Sequence, residues 1–332
     1  MQKAIILLFL LFLINCNYKP DSIGVPNEII ILSSPEDKIL IESFISNVFS
    51  RKIQTPQGEN ILNLQFRNPW EFKTVKTHSN LLIASLTFPH DSTGDILADR
   101  FIEKNNEIKN SKNIEIYAID NLFAKDQLIS IVRTLDLSSF ANLLSVNQEW
   151  LFDQHYTNYE RIIERDIFKN GKNHKLSTII LDLIGFTIDL QIDFKLIEEN
   201  SSQPFVWVGR GYPYRWITIH KSNKANYIKP ISSWEQLEIE YNKYIKNIQI
   251  SKYYQKNEKR IINEQNIRVM RGLYEHEESN TGGPFFVYIF DIKENNEVIL
   301  VSGFVNNPGQ NKLFLLKQLE VIAKTLNRSE SK

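Results

Sequence analysis

The architecture follows from two apolar runs near the C-terminus: residues 285–290 read FFVYIF, and residues 298–305 read VILVSGFV. Aromatic and β-branched residues favour strands, and the polar residues 293–296 between the runs indicate a turn, so the pattern predicts a β-hairpin. A helix is predicted next, with apolar positions three and four residues apart. These positions are Leu315, Leu316, Leu319, Ile322, Ala323 and Leu326. Because neither apolar face is stable in water alone, we expect this helix to pack against the hairpin.

The sequence before the hairpin predicts further strands and two helices. The first helix ends at Gly185, a residue that readily adopts left-handed backbone. Residues 188–196 alternate apolar and polar side chains, and this period of two predicts a half-buried strand. Ser233 is expected to begin the second helix, whose apolar stripe runs from Trp234 to Ile248. Further strands are predicted over 205–209, 215–221 and 268–274.

The first half of the chain also mixes strands and helices. Residues 27–32 predict a buried strand, and Ser34 followed by Pro35 predicts the start of a helix. The remaining predicted elements are strands at 61–66, 80–88 and 114–119 and helices at 95–103, 126–135 and 139–168. We therefore predict an α+β protein with two α/β-sandwich-like halves, in which mostly antiparallel sheets are flanked by helices. The expected domains span 27–170 and 173–328.

The N-terminus has the pattern of an export signal. A lysine at position 3 is followed by an uninterrupted apolar run over 4–14. A basic start and a short apolar run predict a secretory signal peptide over 1–15. The run is too short for a membrane-spanning helix, which needs about 20 apolar residues.

Residues 13–16 (LINC) resemble the lipobox of bacterial lipoproteins. The resemblance implies lipid attachment at Cys16, cleavage just before it, and a polar tether over 16–26. It also implies a place in the cell envelope, with the body in the periplasm or at the cell surface. Asn17 favours the outer membrane over the inner one. The alternative is an ordinary signal peptide in which the cysteine occurs by chance.

Composition excludes several classes of function. The 332-residue chain has 39 basic and 39 acidic residues, so its net charge gives no general attraction to nucleic acid. The basic and aromatic stretch 243–260 is interpreted as a solvated helix face, and no nucleic-acid partner is expected. Cys16 is the single cysteine, so neither an internal disulfide nor a cysteine zinc cluster can form.

Five short motifs in the last third carry a family resemblance. They are 271–275 (RGLYE), 281–285 (TGGPF), 303–305 (GFV), 308–309 (PG) and Leu319-Glu320. With weaker matches at 205–210 and 80–83, the chain resembles exported bacterial lipoproteins known as domain of unknown function 4837. The resemblance implies export and transfers no catalytic residue. The order of elements in the second half is also similar to the α/β sandwich of the extrinsic photosystem II oxygen-evolving protein.

No catalytic or metal-binding motif is present in the sequence. The six histidines have no metal-ligand spacing. They are His78, His90, His155, His174, His220 and His276. Residues 276–278 (HEE) are interpreted as solvated, and 281–284 (TGGP) as a turn that opens a strand. We expect no catalytic residue, metal or cofactor.

One aromatic and basic stretch, 206–216, is the candidate binding patch. Its members are Trp207, Arg210, Tyr212, Tyr214, Arg215 and Trp216. Aromatic residues and arginine are typical of contact surfaces, so the patch is a candidate for stacking on a glycan or contacting an envelope protein. The alternative is that the two tryptophans are core residues on neighbouring strands.

The sequence leaves three functions open. The leading hypothesis is a lipid-anchored envelope protein that binds a partner or ligand. The second is an envelope protein that has a purely structural role and binds no small ligand. The other class is an exported hydrolase of glycans or peptides, whose acids would be assembled from residues such as Asp189, Asp193 and Glu275.

Overall fold

The computed structural model describes residues 19–88, 92–104, 115–262, 264–276, 278, 281–292 and 296–328. The predicted signal peptide, Cys16, His90 and Glu277 lie outside these residues. Among the described residues, no helix is both long enough and apolar enough to cross a membrane.

The strands and helices are numbered in chain order. The strands are β1 (Glu28–Leu32), β2 (Lys52–Gln54), β3 (Gly58–Asn60), β4 (Asn63–Arg67), β5 (Asn80–Leu86), β6 (Ile116–Asp120), β7 (Leu128–Thr134), β8 (Phe186–Thr187), β9 (Lys195–Asn200), β10 (Phe205–Arg210), β11 (Tyr214–Asn223), β12 (Ile248–Ile262), β13 (Gln265–His276), β14 (Thr281–Ile292), β15 (Glu297–Asn306) and β16 (Asn327–Arg328). The helices are α1 (Pro35–Phe49), α2 (Phe72–Val75), α3 (Thr93–Lys104), α4 (Leu137–Phe168), α5 (His174–Ile184), α6 (Pro230–Asn242) and α7 (Leu313–Lys324). Short 3-10 helices cover Pro69–Glu71 and Lys224–Tyr227.

The described chain forms two compact units. The first contains residues 19–49 and 62–159, and the second contains 50–61 and 160–328. The domain boundaries expected from the sequence, 27–170 and 173–328, stay a prediction. The α+β class is confirmed, since helices flank sheets in both units and most strand pairs are antiparallel.

The first unit is built on a five-stranded sheet with the order β4-β1-β5-β7-β6. Only β6 is antiparallel to its neighbour, and the other four strands are parallel. Residues on one sheet face pack against α3, as in the contacts of Leu81 and Ile83 with Leu97. The opposite face meets α4, whose His155 contacts Ser130 of β7. Helices on both faces explain why these strands are apolar on both sides.

The helix predicted over 126–135 is wrong, because these residues form strand β7. Residues 128–132 read LISIV and form an interior strand of the sheet, whose side chains are buried on both faces. A short continuous apolar run fits a buried helix as well as a two-sided strand, so periodicity did not distinguish them.

The second unit is built on a seven-stranded antiparallel sheet with the order β12-β13-β14-β15-β11-β10-β9. The predicted hairpin is confirmed as β14 and β15, and α7 packs on it as expected. Helix α6 packs on the opposite face through Trp234, Leu237 and Tyr241. Glu59 of the β2–β3 hairpin accepts hydrogen bonds from the backbone N–H groups at the start of α7. Because an acid is favourable at a helix N-terminus, these hydrogen bonds connect residues 50–61 to helix α7 of the second unit.

The strand predicted over 188–196 is wrong for most of its length. Ile188, Leu190 and Phe194 are buried as the alternation requires, but the segment forms no ladder until β9 begins at Lys195. Its carbonyl groups accept hydrogen bonds from Ser177 and Asn173 of the α5 region instead. The alternation therefore indicated correctly that the segment has alternating buried side chains. It did not indicate which groups its backbone would hydrogen-bond.

The helix face predicted over 243–260 is also wrong, because α6 ends at Asn242 and most of this stretch is β12. Helix α6 also begins at Pro230, so Ser233 lies inside it and its hydroxyl donates to the Lys229 carbonyl. Strand β12 is at the edge of the sheet. Its three lysines, one arginine and one glutamate are typical of an exposed edge that must not pair with another chain.

Candidate ligand-binding cavity

A cavity of the second unit is lined by β11, α6 and the segment between β9 and β10. Alternation along β11 puts His220 and Ser222 on the sheet face that α6 covers. On α6, Gln236 and Glu240 are four residues apart and therefore share one helix face. Packing of the helix on the strand brings the side chains of all four together.

The carboxylate of Glu240 is the centre of a buried hydrogen-bond network. Its Oε2 accepts from the Tyr227 hydroxyl at 2.6 Å and lies 3.0 Å from His220 Nε2. Its Oε1 accepts from the Ser222 hydroxyl at 2.6 Å and from Gln236 Nε2 at 2.9 Å. Four donors thus satisfy a carboxylate whose residue is only 6% exposed.

These donors keep Glu240 ionised. Burial alone would raise the pKa of its carboxyl group, but the hydrogen bonds and charge of His220, with those of Ser222 and Tyr227, outweigh it. The pKa of Glu240 falls to about 2. Burial, strengthened by the nearby Glu240 charge, raises the pKa of Tyr227 far above its ordinary value, so its hydroxyl stays a donor.

The network fixes which nitrogen of His220 faces Glu240. An ionised carboxylate only accepts hydrogen bonds, so His220 Nε2 carries the hydrogen that faces Glu240. His220 Nδ1 is buried and has no hydrogen-bond partner among the described residues. A buried polar atom of this kind is costly to leave unsatisfied.

The cavity beside this network has a volume of about 550 Å³, within the usual range for small-molecule sites. Its lining is polar. The lining residues are Ser202, Gln203, Pro204, His220, Lys221, Ser222, Asn223, Asn226, Gln236, Glu240, Lys243, Tyr244 and Glu297. The Tyr244 ring stacks on Phe205 with 3.7 Å between ring centroids and 6° between planes. A polar cavity with one fixed aromatic ring can hold a small polar molecule.

A second buried network lies on the opposite face of the same sheet. Arg271 of β13 donates to Glu320 of α7, and Lys317 Nζ donates to Glu320 at 2.7 Å. Burial would raise the pKa of Glu320, but Arg271 and Lys317 lower it below its usual range. Two of the short motifs noted above, 271–275 and Leu319-Glu320, therefore meet in one ion pair between strand and helix.

Residues 173–325 match the family described as Domain of unknown function (DUF4837). The match confirms the predicted resemblance to this domain of unknown function over residues 173–325, somewhat less than half of the chain. The Arg271–Glu320 pair and every residue of the cavity lie within this DUF4837 region.

Other comparisons add no functional argument. A comparison with curated proteins gave no match. The Saccharomyces cerevisiae Ran-binding protein Mog1p is 8% identical over 43% of this chain and 90% of its own, with a TM-score of 0.31. A mutant of the protein Mog1 is also 8% identical, over 44% and 92%, with a TM-score of 0.32. Likeness at this level carries no conclusion about fold or function.

The predicted aromatic patch is divided in the DUF4837 region. Trp207 and Trp216 pack against the core beneath α6, and their rings lie 6.5 Å apart. Tyr212 and Tyr214 are exposed at the turn between β10 and β11, with an edge-to-face contact of 5.9 Å. Trp216 also stacks on Phe304. The tryptophans therefore occupy core positions, while the tyrosines remain at the surface.

The two arginines of the patch have different environments. Arg210 forms an ion pair with Asp193 at 2.9 Å. Arg215 is buried and donates to Gln318 of α7. Burial, together with the nearby charge of Arg210, lowers the pKa of Arg215 to about 10. These contacts leave Arg215 inside the molecule and Arg210 partly exposed at the strand end.

The acids proposed for a hydrolase are not assembled in the cavity. Asp189 pairs with Lys172 at 2.6 Å, Asp193 pairs with Arg210, and Glu275 is exposed on β13. None of the three lines the cavity described above.

No metal site is evident in the described part of the chain, where no group of three or more His, Cys, Asp or Glu side chains could hold an ion. His276 lies on β13 opposite Thr281 of β14. Residues 281–284 lie in β14 and not in a turn. Gly283 is needed there because an added Cβ would lie 2.0 Å from the Val305 carbonyl oxygen.

The first unit has its own buried polar cluster. His155 Nε2 lies 2.7 Å from the Ser130 hydroxyl, and His155 Nδ1 lies 3.3 Å from Asn80 Oδ1. Asn158 donates to the same Asn80 oxygen. Burial lowers the pKa of His155 to about 3, so the ring is neutral. Although serine, histidine and asparagine are in contact, His155 and Ser130 are wholly buried, so no substrate reaches them.

Proposed function

We propose that the chain is a lipid-anchored envelope protein whose DUF4837 region binds a small polar ligand in the cavity. The observation that carries the binding function is the cavity of about 550 Å³ beside the His220–Glu240 network. Its lining is polar and includes Tyr244, whose ring stacks on Phe205.

The anchor is supported by the sequence of the N-terminus. The apolar run over 4–14 and the LINC segment at 13–16 fit an exported chain acylated on Cys16. One acyl chain binds a membrane only marginally, at about 0.8 kcal/mol for each buried methylene, so stable anchoring needs two or more chains.

Intact-mass analysis of protein extracted from membranes tests the anchor. We expect a wild-type chain that begins at Cys16 and carries added acyl mass. The Cys16→Ala variant should carry none of that mass and should retain the signal peptide. An unacylated wild-type chain would refute the anchor without affecting the binding function.

Ligand binding is tested by screening a mixed panel of small polar metabolites for thermal stabilisation of the purified full-length protein. A bound compound should lose its effect in Gln203→Trp, in which an indole occupies the cavity rim. Ser201→Trp is the matched control, because Ser201 lies in the same exposed segment but does not line the cavity. If no compound stabilises the wild type, or Gln203→Trp responds like the wild type, the proposed binding function is wrong.

A further inference from the structure

The start of the described chain is fastened to the first unit by backbone hydrogen bonds. The Pro20 carbonyl accepts from the Lys125 N–H at 2.8 Å, and the Ser22 N–H donates to the Lys125 carbonyl at 3.0 Å. The Ile23 N–H donates to the Thr77 carbonyl at 3.0 Å. These bonds hold the segment between the loops that precede β5 and β7.

The contacts place this segment at one edge of the five-stranded sheet. Strands β4, β1, β5 and β7 are parallel, so their first residues all lie at the same edge. Thr77 and Lys125 each precede their strand by three residues and therefore lie at that edge. Strands β5 and β7 have seven residues each, so the opposite edge is about 20 Å away. We call the first of these surfaces the amino edge and define it as residues 19–27, 73–79 and 121–127.

A lipid on Cys16 would hold the amino edge close to the bilayer. Cys16 and Pro20 are four residues apart, and four residues span at most about 14 Å when fully extended. The polar layer on each side of the hydrocarbon core is itself about 5–8 Å thick. Because the acyl chains must enter the hydrocarbon, Pro20 cannot lie far outside the lipid headgroups.

The amino edge exposes aliphatic side chains on this fixed backbone. Ile23 and Val25 are each 55% exposed, and Pro20 is also exposed. Ser22, between them in sequence, is buried and donates its hydroxyl to the Asp126 carbonyl. Exposed aliphatic side chains are stabilised when they enter the boundary between headgroups and acyl chains.

Lysines outnumber acids at the amino edge. Its exposed charged residues are Lys19, Lys73, Lys76, Lys125 and Asp21, and Asp126 is half-buried. Four lysines and two acids give this surface a positive charge, whereas basic and acidic residues are equal in number over the whole chain. A positive surface beside a lipid anchor is attracted to anionic headgroups.

We propose that the amino edge docks on the anionic membrane surface to which the chain is anchored, an inference that rests on the lipid anchor proposed at Cys16. Ile23 and Val25 enter the boundary between headgroups and acyl chains, and the lysines contact headgroup phosphates. The parallel strands then run away from the bilayer. Leu135, which follows β7, lies at the opposite edge about 20 Å farther out.

Quenching of a fluorophore by labelled lipids tests this orientation. Acylated protein purified from membranes is reconstituted into vesicles of phosphatidylethanolamine and phosphatidylglycerol. Because acylation consumes the Cys16 thiol, an introduced cysteine is the single site for a thiol-reactive fluorophore. Ile23→Cys and Val25→Cys place the fluorophore on the amino edge and leave the backbone hydrogen bonds in place.

Leu135→Cys is the matched control, because Leu135 is 62% exposed at the opposite edge. With a nitroxide on the lipid headgroups, we expect the fluorophores at 23 and 25 to lose at least about half of their emission, and the fluorophore at 135 to lose less than about a tenth.

Neutralising two lysines tests the contact with anionic headgroups. In the Val25→Cys protein, Lys73→Gln with Lys76→Gln should reduce quenching about twofold in the anionic vesicles and should have no effect in vesicles of phosphatidylcholine alone. Lys38→Gln with Arg67→Gln is the control. It removes two charges at the opposite edge, near the start of α1 and at the end of β4, and should leave quenching unchanged.

The outcomes separate the docking surface from the anchor. If the wild-type protein carries no acyl chain and does not float with the vesicles, the anchor is wrong and the docking surface falls with it. If the protein floats but the fluorophores at 23, 25 and 135 are quenched equally or not at all, the anchor stands and the docking surface is wrong. Quenching that the Lys73 and Lys76 variants leave unchanged overturns the contact with anionic headgroups.

Discussion

Replacing Glu240 with glutamine should destabilise the second unit strongly and in a pH-dependent way. The pKa of Glu240 falls from an ordinary 4.5 to about 2. At about 1.4 kcal/mol for each pKa unit, the ionised group contributes about 3 kcal/mol to the free energy of unfolding at neutral pH. Because the folded-state pKa is the lower one, this contribution is complete above pH 4.5 and is lost as the pH falls toward 2. Glu240→Gln should therefore cost about 3 kcal/mol at pH 7 and much less at pH 3.

Urea denaturation followed by tryptophan fluorescence measures this cost. Trp207, Trp216 and Trp234 belong to the second unit and are buried or half-buried, so their emission should shift on unfolding. Glu235→Gln is the matched control on the same helix, because Glu235 is exposed and has no side-chain partner among the described residues. We expect the control to change stability by less than about 0.5 kcal/mol. The reasoning is refuted if the two variants are equally stable at pH 7, or if the cost of Glu240→Gln does not change with pH.

Three further predictions concern the rest of the fold. Glu320→Gln leaves two buried cations without their shared carboxylate and should cost about 3–5 kcal/mol, whereas Lys317→Met keeps the main ion pair and should cost far less in the same denaturation assay. Gly283→Ala would place a methyl group against a strand carbonyl and should lower the melting temperature clearly, whereas Gly211→Ala, which meets open space, should leave it within a few degrees. His155 has a folded-state pKa of about 3, below its ordinary 6.5, so it opposes folding increasingly as the pH falls from 6.5 toward 3. His155→Gln should flatten the acid limb of the stability–pH profile over that range, and an unchanged limb would contradict the assigned burial.

In the C-terminal half of the fold, the elements that could be predicted are those whose apolar residues recur with one clear spacing, that of a strand or that of a helix. The runs at 285–290 and 298–305 and the apolar stripe of α7 gave the hairpin and the helix that covers it. The segment 126–135 could not be assigned in this way, because an interior strand covered by helices on both faces is apolar on both sides. The charged edge strand β12 was mistaken for a helix face, since solvated edges and solvated helices have similar composition.

The candidate site was not predicted, although its residues were visible in the sequence. His220 was identified only as one of six histidines, and Glu240 was not singled out. A usable signal existed: His220 lies near the end of a predicted strand and Ser222 follows two residues later, while Gln236 and Glu240 are one turn apart on a predicted helix. What the sequence did not contain was the packing of that helix on that strand.

For the predicted aromatic patch, the composition suggested one continuous binding surface. The fold instead places some of its members in the core and others at the surface. Alternation along β10 and β11 sends Trp207 and Trp216 into the core beneath α6, while Arg215 meets Gln318 on α7. The turn between the strands leaves Tyr212 and Tyr214 outside. Aromatic content alone could not distinguish these environments.

A crystal structure of the protein with a compound that stabilises it in the thermal screen tests the central claim most directly. We expect electron density for that compound in the cavity lined by β11, α6 and residues 202–204. Density at another surface, or an empty cavity at saturating ligand, would contradict the assignment of this cavity as the binding site.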